Sequence, residues 1–401
     1  MHTRQVIVAA LTTGLAVGTV VMAQNGNPLN PNSKNTLTLA VYGDSPYGIN
    51  PTDTSQTEKT LAFIDSINRD PKVDLVLHTG DIHSGKQFCT ENYNWTIYNL
   101  WLSFKNPVIY TPGDNEWSDC HKAAQGGHVY LDPPTNSMPV DYADGDPVAN
   151  LALVRSIFFA EPGYSLGGRK KQVLTQASNS NVSPSDTHYV ENVMWEQSRV
   201  LFVTANVPGG SNNDSDNWYG AARTAAQTNE IAERTQADLH WLDAAFAQAQ
   251  RDGVEAVVVM LQADMWDLDG KAVSHLSNYE SIIGNLADHT RAFGKPVLLF
   301  NGDSHHYRSD NPLKQAQPCV FEATSGTGTV PCNSKPAAPD FTPDAWTNHP
   351  GYNVPNFHRV VVHGSTEPLE WLRLTITPGT NAPAGPDTFG PFRWERVQPL
   401  N

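Results

Sequence analysis

The sequence is poor in basic residues. Its 401 residues contain 26 Lys and Arg against 41 Asp and Glu, which gives a formal net charge of -15. A nucleic-acid partner needs a basic surface that neutralises its phosphates, so this composition argues against one. A phosphorylated small-molecule or lipid substrate is not excluded, because bound cations can reverse the sign of an acidic pocket.

Cysteine is also scarce, and no two cysteines form a C-x-x-C pair. The four cysteines are Cys89, Cys120, Cys319 and Cys332. Their wide spacing argues against a thiolate metal site. An even number in an exported chain suggests two disulfides, and closeness in sequence favours Cys89 with Cys120 and Cys319 with Cys332, with the other pairings left open.

Long apolar runs are missing after the first 23 residues. That first stretch has Arg4 in a short basic region, an apolar segment over 6–22, and the small residue Ala23 before Gln24. This pattern predicts a secretory signal peptide over 1–23; the alternative, a membrane anchor, fits less well because the apolar segment is short and interrupted by polar residues. We therefore predict a secreted or periplasmic protein with no membrane span after cleavage. Loss of Arg4 moves the net charge from -15 to -16.

Repeats and blocks of like charge are absent as well. Residues 24–36 form a polar tail, and 37–401 are predicted to form one domain. Buried strands alternate with amphipathic helices, which indicates βαβ units with ligand sites beyond the carboxyl ends of the strands. A loop-rich insertion at about 121–190 is predicted to cover the mouth of such a site. The sequence gives no indication of an oligomeric state.

Four predicted strands end in Gly-Asp, at Asp44, Asp81, Asp114 and Asp303. One such turn is ordinary, because Asp is a common turn and N-cap residue. Four carboxylates at one edge of a sheet repel one another unless cations lie between them. His305 can add an imidazole ligand from the same turn as Asp303.

The motifs GDSP, GDIH, GDNE, LQAD and GDSH follow one another from residue 43 to residue 305. In order and spacing they resemble the signature of the calcineurin-like metallophosphoesterases, over about residues 37–310. The resemblance implies an α/β fold, a four-layer αββα sandwich with two mixed sheets flanked by helices. It also implies a metal-dependent hydrolase that cleaves phosphomonoesters or phosphodiesters with a metal-activated water.

The resemblance further implies a site for two divalent metal ions. One ion would be held by Asp44, Asp81 and His305, and the other by Asp81, Asp114, Gln262 and Asp303. The family usually has histidines where this chain has Pro46, Gln262 and Asp303, so oxygen ligands replace imidazoles. This shift favours Mg, Mn or Ca over Fe or Zn.

The chain also departs from the family pattern at the group that protonates the leaving group. Asn115 occupies the position of the usual histidine. His83, His306 and His121 are the alternative proton donors, each also explicable as a loop histidine. Asn206 and Arg308 are predicted to contact substrate, although Arg308 beside acids is as well explained by an ion pair. Ser84 stands where purple acid phosphatases would have their tyrosine, which argues against that subgroup.

These departures leave three functions open. The first is an exported metal-dependent phosphoesterase, which is favoured because acids at strand ends in family order are not required by packing. The second is a catalytically degenerate member that acts as a cation-dependent binding module. The third is a metallohydrolase of another bond, such as an amide or a carboxylic ester.

Overall fold

The structure is a computed structural model, and it describes residues 35–51, 53, 56–127, 143–179, 183–267, 273–334, 351–365 and 369–398. The predicted signal peptide over 1–23 and most of the polar tail lie outside the described residues. Within these ranges, no helix has the length and apolar character needed to span a membrane.

Two mixed sheets make up the centre of the fold. The first contains β1 (Leu37–Tyr42), β2 (Val73–His78), β3 (Pro107–Tyr110), β4 (Leu166–Gly167), β14 (Trp371–Ile376), β15 (Thr388–Phe389) and β16 (Phe392–Val397). Its order is β15-β16-β14-β1-β2-β3-β4, with β1, β2 and β3 parallel. The parallel strands therefore place the predicted motifs of residues 43–46, 80–83 and 113–116 at one sheet edge.

The second sheet has nine strands. These are β5 (Leu174–Thr175), β6 (Val193–Gln197), β7 (Val200–Thr204), β8 (Ala256–Met260), β9 (Val297–Asn301), β10 (Arg308–Asp310), β11 (Val320–Glu322), β12 (Thr329–Pro331) and β13 (Phe357–Val361). Their order is β12-β11-β10-β13-β9-β8-β7-β6-β5. Because β7, β8, β9 and β13 are parallel, this sheet also collects its loops at one edge.

Helices cover the outer face of each sheet. They are α1 (Gln56–Asn68), α2 (Glu91–Trp101), α3 (Pro147–Phe158), α5 (Ala225–Asp252) and α6 (Glu280–Phe293). The short turn α4 (Gly209–Asn213) lies instead beside Asp114 and Asp303, and its residues 210–212 have positive φ. Thr90, Asp146 and Thr224 cap α2, α3 and α5 by accepting backbone N–H bonds. Gly253 and Gly294 end α5 and α6 in the left-handed region.

Three apolar clusters join these layers. On β1, Leu39 and Val41 face a cluster shared with Phe202 and Leu298 of the other sheet. The alternate residue Tyr42 faces a cluster formed with α1, α2 and α3. A third cluster lies between the second sheet and α5 and α6. The predicted four-layer αββα sandwich is confirmed.

The segment 121–190, which the sequence predicts as a loop-rich insertion over the site, also contributes helix and strand to the fold. It contains α3, and it adds β4 to the edge of the first sheet and β5 to the edge of the second. The hairpin after it turns at Ser198 and Arg199, both with positive φ. Residues 128–142 and 180–182 lie outside the described part of the segment.

Both predicted disulfides are present. Cys89 is bonded to Cys120, and Cys319 to Cys332. The first disulfide joins the segment between β2 and α2 to the loop after β3, which are the segments that carry Asp81 and Asp114. It therefore restrains two of the predicted ligand turns relative to each other.

A buried acid, Asp238, lies on the inner face of α5. Its carboxylate accepts a hydrogen bond from Asn192 Nδ2 at 2.9 Å. Burial raises the pKa of Asp238 to about 8, against the lowering effects of the Arg234 charge and the Asn192 hydrogen bond. This carboxyl group therefore gives folding stability a dependence on pH.

We predict that Asp238→Asn flattens the decline in stability between about pH 4 and about pH 8. In that interval the folded state binds more protons than the unfolded state, so the Asp238 contribution falls as pH rises, by at most about 1.4 kcal/mol per pH unit. Urea denaturation at a series of pH values measures it. Glu233→Gln, on the same helix with an exposed side chain, is the control and should keep the wild-type slope; an unchanged slope in Asp238→Asn would contradict the assignment.

Candidate metal centre

Acidic side chains from both sheets meet at the edge where the parallel strands end. Asp44, Asp81 and Asp114 follow β1, β2 and β3, and Asp303 follows β9 of the second sheet. The backbone N–H of Asp303 donates to Asp44 Oδ1 at 2.9 Å. This bond joins the two sheets at the predicted site.

The backbone is strained at three of these acids and at His305. Asp44, Asp81, Asp303 and His305 have φ values of 52°, 58°, 74° and 63°, in the left-handed region that L residues seldom adopt. Such conformations cost on the order of 1–3 kcal/mol each and persist where the surrounding structure imposes them. The side chains of three of these residues, Asp44, Asp81 and His305, converge on one place.

The first predicted ligand set is assembled. Asp44, Asp81 and His305 each offer one ligand atom, and the three atoms lie within 4.8 Å of one another. His305 Nε2 is 3.5 Å from Asp44 Oδ1. Asp44 Oδ2 is buried and has no hydrogen-bond partner among the described residues. Two carboxylates and an imidazole of this kind fit a divalent cation.

The carboxyl groups at this edge resist ionisation together. Burial raises the pKa of Asp81 well above its usual value, and the charges of Asp114, Asp44 and other nearby acids raise it further. Burial likewise raises the pKa of Asp44, and it raises the pKa of Asp114 to about 7. Burial lowers the pKa of His305 to about 4, so this imidazole is neutral and able to ligate at neutral pH. A bound cation would reduce the repulsion among these carboxylates, and the neutral imidazole of His305 could act as one of its ligands.

The second predicted ligand set is assembled differently. Gln262 is buried, and its Nε2 donates to Asp81 Oδ2 and to Asp114 Oδ1, each at 3.1 Å. Its Oε1 faces away and accepts the Gly209 N–H. Asp303 Oδ2 accepts a bond from Asp264 N. The oxygen expected of Gln262 as a ligand is thus turned from the other carboxylates, which does not fit the predicted role.

Asn115 and the three histidines predicted as alternative proton donors lie in different environments. Asn115 lies at the site: its N–H donates to Asp81 Oδ1, and its Oδ1 accepts a bond from Gln125. His83 is fully buried against Ser84, Cys89 and Tyr93, and burial lowers its pKa to about 4. These contacts do not fit the predicted role of His83 as a proton donor.

The other two histidines are held by nearby acceptors. His306 is about half exposed and contacts Glu322 Oε1 through Nδ1 at 2.9 Å. His121 turns its Nδ1 to Ser118 O at 2.7 Å. A catalytic role for His306 therefore stays a prediction.

Neither predicted substrate-binding residue points toward the carboxylates of the candidate metal site. Asn206 has no exposed surface and donates through Nδ2 to Glu191 Oε1 at 3.0 Å. Arg308 donates to Asp310 Oδ2 at 2.7 Å and lines a separate cavity beside the Cys319–Cys332 disulfide. These contacts indicate structural roles and correct the sequence-based assignment; for Arg308 the ion-pair alternative is the one observed.

Sequence reasoning missed Tyr47. Its hydroxyl donates to Asp44 Oδ1 at 3.5 Å and lies 3.5 Å from Asn115 Nδ2, and its ring packs edge-on against His305. Burial, followed by the charges of Asp81 and Asp44, raises its pKa well above the ordinary value, so the phenol keeps its proton. Its position three residues after Asp44 was the available signal.

Glu116 braces the turns of the first sheet from behind. Its Oε1 accepts bonds from Gly113 N at 2.7 Å and from the Tyr110 hydroxyl, and its Oε2 accepts from Ile82 N at 3.4 Å. The turns that carry Asp81 and Asp114 are therefore tied to one buried side chain.

The chain belongs to the calcineurin-like phosphoesterase family. The family model matches residues 37–307, more than half of the 401 residues, and this span holds every predicted ligand. Members of this family are metal-dependent hydrolases of phosphoric esters that use a dinuclear metal site. No curated protein matches the chain in a sequence comparison.

Among solved structures the chain is similar to PhoD, at 10% identity and a TM-score of 0.46, over 87% of this chain and 65% of that one. It is also similar to purple acid phosphatase PPD1 from seeds of yellow lupin (Lupinus luteus), at 11% identity and a TM-score of 0.44, over 93% of this chain. The chain thus spans 65% and 53% of the lengths of these two proteins.

We predict that Mn²⁺ stabilises the protein through His305. At a concentration of about 100 times the dissociation constant, binding should add about 2.7 kcal/mol to the unfolding free energy. Thermal denaturation with and without the ion measures it. His305→Ala should lose the stabilisation, whereas the neighbouring control His306→Ala, which removes a residue paired with Glu322, should keep it. Equal stabilisation of all three proteins would argue against this ligand set.

Proposed function

We propose that the chain is an exported metal-dependent phosphoesterase that hydrolyses a phosphomonoester or phosphodiester. The observation that carries the proposal is the assembled set of Asp44, Asp81 and His305 within a chain of the calcineurin-like phosphoesterase family. A divalent ion bound there would supply Lewis-acid chemistry, withdrawing charge from a phosphoryl oxygen and activating a water as nucleophile. The two-ion form predicted from the sequence stays a prediction.

The residues around this set have separate tasks in the proposed reaction. Asp44 and Asp81 provide negative charge that keeps the ion in place, and the buried Glu116 holds the turn of Asp81 through Ile82. The strained backbone fixes the ligand directions before the substrate arrives, which lowers the reorganisation needed for catalysis. The site is therefore preorganised by the fold.

A cavity beside His305 offers room for the organic part of the substrate. Its volume is about 480 Å³, and its lining includes Tyr47, Ile49, Lys86, His305 and Leu369. Pockets of this size accommodate small organic ligands. The lining combines apolar side chains with an exposed lysine, which suits a small-molecule or lipid phosphoester with an apolar group.

Export is part of the proposal. Two disulfides are typical of oxidising compartments, and the N-terminal pattern is that of a signal peptide. The secreted or periplasmic chain would then begin at Gln24.

We predict that Asp81→Asn lowers hydrolysis of nitrophenyl phosphate or bis-nitrophenyl phosphate by more than roughly a hundredfold. The substitution removes a charged metal ligand, which costs more than removing a residue that only supports a ligand. The assay compares Mg²⁺, Mn²⁺, Ca²⁺, Zn²⁺, Fe²⁺ and a chelator. Asp74→Asn, exposed on the strand that precedes the Asp81 turn, is the matched control and should retain wild-type rates.

Three outcomes separate the proposed function from its alternatives. A folded wild-type protein that binds metal and turns over no phosphoester would favour a cation-dependent binding module. Hydrolysis of nitrophenyl carboxylic esters or amides without hydrolysis of phosphates would favour a metallohydrolase of another bond. Phosphate hydrolysis that survives in Asp81→Asn would remove this site from the reaction.

We predict that Tyr47→Phe slows poor leaving groups more than good ones. The Tyr47 hydroxyl lies between Asp44 and Asn115, where it can donate a hydrogen bond to the departing oxygen. General acids and donors of this kind contribute on the order of a hundredfold when the leaving group needs a proton. Rates for alkyl phosphates should fall by about that factor, and rates for nitrophenyl phosphate should fall little. An equal loss for both substrate classes would indicate a structural role.

A further inference from the structure

Both ends of the Gln262 side-chain amide have fixed partners. Oε1 accepts the Gly209 N–H at 2.5 Å, and Nε2 donates to Asp81 Oδ2 and Asp114 Oδ1. If the amide were turned over, its NH₂ group would face the Gly209 N–H, and its oxygen would face two carboxylates. The hydrogen-bond partners therefore select the observed orientation.

In this orientation Gln262 cannot act as a metal ligand. Glutamine binds hard cations through its carbonyl oxygen, and that oxygen is occupied by Gly209. The amide nitrogen donates its hydrogens to Asp81 and Asp114, two of the carboxylates that would bind the second ion. The amide therefore does part of what an ion would do, because it stabilises the negative charge of both acids with hydrogen bonds from one donor group.

The backbone of Gly209 fills space on the other side. A Cβ at this position would lie 2.5 Å from Asp303 Oδ1 and 2.6 Å from Asp114 Oδ2, so only glycine permits this approach. The residues that follow, 210–212, are held in a left-handed turn with φ of 59° at each. A restrained loop is thus packed against Asp114 and Asp303, two of the ligands predicted for the second ion.

We infer that this metallophosphoesterase holds one divalent ion, at Asp44, Asp81 and His305, and that the Gln262 amide replaces the second ion of the family. The inference rests on the proposed function for its catalytic meaning, but the metal count stands on the contacts alone. The amide neutralises no net charge, so the centre has one cation's charge where the family has two.

The test counts metal ions in the folded chain that begins at Gln24. Protein stripped with a chelator is titrated with Mn²⁺, freed of excess metal by gel filtration, and analysed for metal content and for its electron paramagnetic resonance spectrum. We expect one ion per chain with the hyperfine pattern of isolated Mn²⁺. Two ions per chain with an exchange-coupled spectrum would overturn the inference, and this result needs no variant.

Gln262→Glu changes the amide to a carboxylate of nearly the same shape. One oxygen can still accept the Gly209 N–H, and the other then faces Asp81 and Asp114 as a ligand atom. We expect two Mn²⁺ ions per chain and a coupled spectrum in this variant. A folded Gln262→Glu protein with one ion would contradict the assignment of Gln262 as the group that excludes the second ion.

The result is separable from the proposed function. One ion per wild-type chain without phosphoester hydrolysis would leave the inference standing and remove the proposed activity. Two ions with hydrolysis would do the reverse. Asp81→Asn serves both tests, because it should lose the ion as well as the turnover.

Discussion

The burial of four carboxylates at one sheet edge, with the mutual repulsion it brings, is the constraint on which the rest of the structure depends. Asp44, Asp81, Asp114 and Asp303 are brought to one edge by two sheets, and each has its pKa raised by burial first and then, to differing degrees, by neighbouring acids. The fold answers this repulsion with donors: Asp303 N to Asp44, Asn115 N to Asp81, and the amide of Gln262. Those donors carry no positive charge, so the carboxylates can still bind a cation.

The sandwich architecture sets the position of that place. Parallel strands of both sheets end at the same edge, and the apolar cluster between the sheets fixes their separation. Thr111 of the first sheet donates to Ala205 O of the second at 3.1 Å, so the two edges are also joined beside the site. The ligand loops can be strained because the layers beneath them are packed and the Cys89–Cys120 disulfide restrains two of them.

Much of this arrangement could be predicted from the sequence. Strands ending in Gly-Asp placed four acids at one edge, and the disulfide pairs followed from closeness in the chain. The orientation of Gln262 could not be predicted, because it depends on the N–H of Gly209, a residue 53 positions away. Tyr47 was missed because its contacts with Asp44 and Asn115 are set by loop geometry, which motifs do not encode. For Arg308 the sequence left the ion-pair alternative open, and its partner Asp310 lies on the same strand.

The amide of Gln262 also bears on how such a centre could arise. Glutamine codons differ by a single base from those of histidine and of glutamate, both of which are metal-binding residues. The amide is accommodated by Gly209 and the left-handed turn after it, which lie in a loop beyond the sheet strands. A lineage could therefore pass between centres of different metal demand through one point mutation, with metal supply in its surroundings as the selecting condition.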